Sequence, residues 1–125
     1  MDNMRKENIL KNKSFEFALQ IVKLYKELNE RKEFILSKQI LRSGTAIGAL
    51  IRESENAASK KDFLNKLTVA LKEADETCYW LDLLYHSDYI DVKRHDVLLF
   101  QCNELVSILT ASVKTIKNSL LNSPF

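Results

Sequence analysis

Glycine and proline are almost missing: the 125 residues include two glycines and one proline. A β-sandwich or barrel needs many tight turns, and a doubly wound α/β fold needs glycine-rich loops, so both are disfavoured together. Cysteine is scarce as well. Cys78 and Cys102 are the only two, too few for a disulfide framework, and reduced thiols are the expectation. Long apolar runs are absent. The longest, counting glycine, is Ala46–Ile51, too short to span a bilayer. Met1–Lys13 is polar and charged, with no apolar stretch behind its basic residues, so a leader is not expected and the protein reads as cytoplasmic with no membrane partner.

Histidine is nearly as rare. His86 and His95 are the only two, and the residues three before them are Leu83 and Val92. The Glu-x-x-His pairs of di-iron bundles are therefore missing, and no Cys–His spacing suits zinc. The sequence has no nucleophile elbow, phosphate loop or dinucleotide fingerprint. The expectation is a non-enzyme without metal or cofactor, with both histidines exposed beside a turn.

What remains is a chain of long elements. Hydrophobic residues make up 46% and charged residues 29%, which suits one folded domain and is too apolar for disorder. Apolar residues recur at three- and four-residue spacing in four segments, predicting an all-α, up-down-up-down antiparallel four-helix bundle over residues 14–120, preceded by a flexible segment over residues 1–13. Helix 1 runs from about Ser14 to Asn29 on Phe17, Ala18, Ile21, Tyr25 and Leu28. Helix 2 runs from about Ser37 (a plausible N-cap) to Glu55. Helix 3 starts at Ser59, which with Asp62 resembles a capping box, and runs to His86. Helix 4 starts at Asp91 and runs to about Asn118.

Both glycines lie in helix 2, at Gly44 and Gly48. Each costs roughly 1 kcal/mol relative to alanine, so close approach of a neighbouring helix is the expected compensation, with a kink as the alternative. Cys78 and Cys102 sit on core stripes at similar distances from the turn near Tyr89, and are expected to face each other across helices 3 and 4. Packing as small hydrophobes is the favoured reading, with a redox pair as the alternative.

Helical projection adds a second apolar stripe to two helices. Val69, Trp80 and Leu83 fall opposite the core face of helix 3, and Val97, Phe100 and Ile108 fall away from that of helix 4. A helix with one buried face should be polar there, so these six residues are candidates for an oligomer interface.

The net charge is only +2, too small to mark a nucleic-acid binder by its total. The distribution is polar, however: residues 60–72 carry +3 and residues 73–91 carry −6. Antiparallel topology gathers Arg52, Lys60, Lys61, Lys66, Lys114 and Lys117 toward one end of the bundle, as candidates for phosphate contact.

Three blocks then carry a resemblance. Helix 2 holds Gln39, Arg42, Ser43, Ile47, Ile51 and Glu53 in the pattern Q-x-x-R-[SA]-x-x-S-I-x-x-N-I-x-E-G, departing from it at Ala46, Leu50 and Ser54. Helix 3 holds Phe63–Leu67, Ala70–Ala74 and Glu76–Leu81, and helix 4 holds Asn103–Leu105 and Ile108–Thr115. Together they resemble the bacterial four-helix bundle family of proteins encoded in intervening sequences of 23S rRNA genes, labelled S23, which includes the accessory variability determinant of diversity-generating retroelements. The resemblance implies a left-handed antiparallel bundle, a homopentameric ring and no catalytic residues. For the retroelement branch it implies a basic surface for RNA or DNA and a partner reverse transcriptase. The resulting expectation is an oligomeric adaptor binding RNA or DNA. A protein–protein scaffold with no nucleic-acid role is the alternative.

Overall fold

The computed structural model of the chain describes the backbone of residues 2–122; among residues 2–7 only the side chain of Arg5 is described. Four helices follow in order: α1 (Asp2–Glu30), α2 (Leu36–Ser54), α3 (Lys60–His86) and α4 (Val92–Leu121). There is no strand among the described residues. Each helix packs on its chain neighbour and α1 packs on α4, which closes a four-helix ring whose thinnest seam is α1–α4. All seams are antiparallel, as predicted.

α1 corrects the expected start. It begins at Asp2 and not at Ser14, and Leu10 is buried in the core. The polar composition of the first thirteen residues hides one apolar residue in register with Phe17, Ile21, Leu24 and Leu28, all buried. That single anchor, with Ser14 buried between, extends the contact face by a full turn beyond the expected boundary.

The helix ends follow from local chemistry. Ser59 caps α3 by accepting the Asp62 N–H at 3.0 Å, and the Asp62 carboxylate accepts the Ala58 N–H at 3.0 Å. Asp91 caps α4 by accepting the Arg94 N–H at 2.8 Å. α2 departs from expectation: Ser37 is not its cap. The Glu33 carboxylate accepts the N–H of Ser37 at 2.7 Å and that of Ile35 at 3.3 Å. A longer acidic side chain upstream does what a serine was expected to do, and satisfies the same free N–H groups.

α1 and α3 end alike. The Glu33 N–H donates to the Leu28 carbonyl and the Tyr89 N–H to the Leu84 carbonyl, each at 2.9 Å. This closure needs a left-handed residue just before it, usually glycine. Here Lys32 (φ 65°) and Asp88 (φ 67°) occupy those positions.

Both glycines serve packing instead. A Cβ on Gly44 would lie 2.9 Å from Cγ1 and Cγ2 of Ile21, and one on Gly48 would lie 3.3 Å from the Ser14 carbonyl oxygen. α1 thus rests directly on the glycine face of α2, the close approach that the paired glycines predicted. Across the next seam, the Ser43 and Thr77 hydroxyls are 2.8 Å apart, and Thr77 donates to the Glu73 carbonyl at 2.8 Å. These buried polar groups satisfy one another, as burial requires.

Candidate functional site

The start of α3 and the end of α4 meet at one end of the bundle. The Lys60 ammonium donates to the Ser119 hydroxyl at 3.1 Å across that junction. Lys61, next in α3, and Lys114 and Lys117, on the final turns of α4, are exposed. Among the described residues these four lysines make no ion pair. Lys60 and Lys61 also occupy the first turn of α3, where the helix dipole disfavours a cation by about 0.3–1 kcal/mol. Asp62 in the same turn offsets part of that charge, and a further anion placed there would relieve the rest.

The other two expected phosphate contacts sit apart. Lys66 lies farther along α3 and is half-buried. The Arg52 guanidinium lies over the Phe15 ring, 6.0 Å from its centroid, on the α1–α2 flank. Two further lysines of that end are engaged: Lys11 pairs with Glu55 at 3.3 Å and Lys13 with Glu104 at 3.2 Å. Lys60, Lys61, Lys114 and Lys117 are thus the four of the six that are exposed on the start of α3 and the final turns of α4.

The six residues assigned to subunit contact fall on two flanks. On α3, Val69, Trp80 and Leu83 are half-buried. Trp80 packs against the core, and its indole N–H donates to Glu76 at 2.9 Å. Arg42 of α2 in turn holds Glu73 at 2.8 Å and also Glu76, so Trp80 belongs to the α2–α3 seam. The hydrogen bond from Trp80 holds the Glu76 carboxyl below its usual range, with Arg42 adding to it. The Glu73 and Glu76 carboxylates hold the Arg42 guanidinium above its own. On α4, Ile108 is half-buried and packs on the core, whereas Val97 and Phe100 are 51% and 67% exposed. Glu104, one turn beyond Phe100, pairs with Lys13 of α1. The α4 stripe thus flanks the α1–α4 seam, and the two stripes do not merge.

A third apolar flank was missed. Phe15 and Leu19 are 53% and 55% exposed. Phe15 borders a groove of about 440 Å³ between α1 and α2, whose floor includes Ala18, Thr45, Gly48 and Ala49. The signal is present in the sequence: Phe15, Leu19 and Val22 recur at four and three residues, offset from the core stripe of helix 1.

At the other end, Arg94 pairs with Glu27 at 2.7 Å. Arg31 lies 5.3 Å from the Tyr89 ring centroid and donates to the backbone carbonyl of Tyr89. His86 is exposed, but His95 corrects the expectation: it is 9% exposed. Its Nε2 lies 2.8 Å from Asp82 and its Nδ1 3.0 Å from Asp96, and Tyr85 stacks on the ring at 4.7 Å between centroids. Burial opposes the imidazolium, but the hydrogen bonds and charges of the two aspartates outweigh it, so its pKa ends above the ordinary value.

Cys78 and Cys102 do face each other, with their sulfurs 3.3 Å apart. Among the described residues no group of three or more His, Cys, Asp or Glu side chains is arranged to hold a metal ion. α4 has the length and mean hydropathy of a membrane span, yet Leu98, Cys102, Leu105 and Leu109 are buried against the other helices.

Comparison with known proteins gives one consistent picture. The family model described as 23S rRNA-intervening sequence protein matches residues 6–111. A solved structure of a protein of unknown function from the S23 ribosomal protein family of Bacteroides thetaiotaomicron VPI-5482 is similar over most of the chain. It is 54% identical, with a TM-score of 0.85, covering 87% of this chain and 98% of that one. No protein with a curated function matches at a significant level.

Proposed function

The chain belongs to the 23S rRNA-intervening sequence protein family, and from that membership we propose a non-enzymatic, cytoplasmic, oligomeric adaptor that binds RNA or DNA through the lysine-rich end of its bundle. The observation that supports this most is the junction of α3 and α4. Lys60 spans it to Ser119, and Lys60, Lys61, Lys114 and Lys117 lie on the start of α3 and the final turns of α4 without an ion pair among the described residues, two of them against the dipole of α3. Phosphates are the anions that such a cluster of point charges suits. A homopentameric ring, the assembly implied by the family likeness, would repeat the cluster around one axis and multiply a modest patch. Phe100 and Val97 are the subunit contacts that exposure favours. Trp80 is already partly engaged with Glu76.

The test is a salt titration of a fluorescein-labelled RNA hairpin, and of the matching DNA, followed by anisotropy. Binding is expected to weaken steeply with salt, with a logarithmic slope of roughly −3 for about four phosphate contacts. Replacing Lys60, Lys61, Lys114 and Lys117 together with alanine should flatten that slope. No binding at low salt, or a flat slope in the unaltered protein, removes the nucleic-acid role. The second reading, a protein–protein scaffold, would then stand on the exposed Phe15, Leu19, Val97 and Phe100. Light scattering tests assembly separately: an oligomer is expected, Phe100→Ser should reduce it, and a monomeric unaltered protein overturns it.

A further inference from the structure

The α3–α4 seam holds a pair of sulfurs in an asymmetric setting. Cys78 is half-buried, whereas Cys102 is buried behind it. Their Sγ atoms are 3.3 Å apart. The Cys102 Sγ also lies 3.2 Å from the Ala74 carbonyl oxygen, within reach to donate to it, and the Cys78 Sγ lies 3.5 Å from Asn103 Oδ1. One sulfur therefore has access toward solvent and the other waits behind it. Two thiols packed merely as small hydrophobes need neither that contact nor that difference in access.

We propose that Cys78 and Cys102 form a peroxide-reactive dithiol, which a hydroperoxide converts to an intramolecular disulfide bridging α3 and α4. The Cys78 thiolate attacks the outer oxygen of the hydroperoxide. The O–O bond breaks, the Cys78 sulfur becomes a sulfenic acid, and the leaving alkoxide takes up a proton as the alcohol, or as water from hydrogen peroxide. The Cys102 sulfur then attacks the Cys78 sulfur. The S–O bond breaks, and hydroxide leaves with the Cys102 proton as water. Two electrons pass from the two sulfurs to one peroxide, and no other co-reactant is needed.

The electrostatics agree with this order of roles. When the Cys102 S–H turns from the Ala74 carbonyl to donate to Cys78, that hydrogen bond draws the Cys78 thiol below its ordinary range, although burial and the charges of Asp75 and Asp82 resist. The same hydrogen bond, together with burial, pushes the Cys102 thiol up. The thiolate is the reactive form, so Cys78 attacks first and Cys102 resolves. A disulfide has an S–S length of about 2.05 Å, so the sulfurs have only roughly 1 Å to close. The product staples α3 to α4 across their middle and encloses the turn through Ser87–Asp91.

The experiment treats the purified full-length chain with one equivalent of hydrogen peroxide. Thiols are then counted in denaturant, and intact mass and non-reducing gels are read. Expected are the loss of both thiols, a mass lower by two hydrogens, migration as a single chain, a raised melting midpoint and full reversal by dithiothreitol. In Cys102→Ala, Cys78 should be trapped by dimedone as a sulfenic acid. In Cys78→Ala, Cys102 should stay a thiol. Persistence of both thiols at a dose that oxidises the urea-unfolded chain overturns the proposal. So do a product that gains oxygen without losing thiol hydrogens, a disulfide between chains, or equal reactivity of the two single variants. The unaltered chain decides the matter even if a variant folds poorly.

Discussion

The α1–α2 seam and the α3–α4 seam join antiparallel helices by opposite means. The first works by removing side chains: Gly44 and Gly48 let α1 settle onto α2, with Ile21 and the Ser14 backbone against the two glycines. Its energy is mainly steric and apolar, with one exposed ion pair between Lys11 and Glu55 at its end, so it should respond more to volume than to pH. The second adds polar and titratable pairs to the buried Leu98, Leu105 and Leu109: Cys78 with Cys102, and His95 with Asp82. It should respond to oxidant and to protons. One fold thus carries a seam sensitive to size beside a seam sensitive to chemistry.

The largest effect expected breaks the first seam. Gly44→Ala should gain roughly 1 kcal/mol of helix propensity, yet lose more from pressing a methyl onto the branched Ile21 side chain. A net destabilisation of about 2 kcal/mol in urea unfolding is expected, with about half of it recovered by adding Ile21→Val. A stabilised Gly44→Ala would show that the glycine is a kink or an accident rather than a packing device.

Next in size are the turns that close these seams. Lys32 and Asp88 both hold left-handed backbone, but aspartate tolerates that region better than lysine. Lys32→Gly should stabilise the protein by about 1 kcal/mol, and Asp88→Gly by less. Equal gains, or a loss at Lys32, would contradict this account of the two turns.

A smaller effect sharpens the second seam. The folded pKa of His95 lies above its unfolded value, so the contribution is fully present below the unfolded pKa of about 6.5 and fades as pH rises through the folded value. The melting midpoint should therefore fall as pH rises above about 6.5 and through the raised folded value. Asp82→Asn should flatten that fall, and an unchanged profile in this variant would remove Asp82 from the pair. The smallest effect is expected at Gly48→Ala. Its new methyl would sit 3.3 Å from the Ser14 carbonyl, and the propensity gain should leave stability within about 0.5 kcal/mol of the original. A loss as large as that at Gly44 would mean that the α1 backbone cannot yield at all.

Much of this was legible from residues alone. Ser59 and Asp91 are caps because their short side chains reach an N–H three residues on. Cys78 and Cys102 were placed face to face because equal spacing from an antiparallel turn puts two residues at one level. The misses share a cause. Leu10 sits beside Ile9 in a mostly polar stretch, and no local pattern says that the opposite helix extends far enough to cover it. His95 is polar beside a turn, and the approach of Asp82 from α3, with the neighbouring Asp96 on the other ring nitrogen, makes its burial tolerable. Arg52 belonged to a basic end by position, but its guanidinium found Phe15 on the flank.

Helix number, type and, apart from the start of α1, approximate limits were determined by the sequence itself, because three- and four-residue periodicity, capping residues and the near absence of glycine and proline act within a few residues of each other. Which flank of a helix meets which neighbour was decided only by tertiary structure. Rotation about a helix axis costs nothing locally, and it is set where Ile21 finds the space above Gly44, Arg42 finds Glu73 and Glu76, and Lys13 finds Glu104. Those contacts part the Trp80 stripe from the Phe100 stripe and bring the start of α3 to the end of α4, where Lys60 meets Ser119.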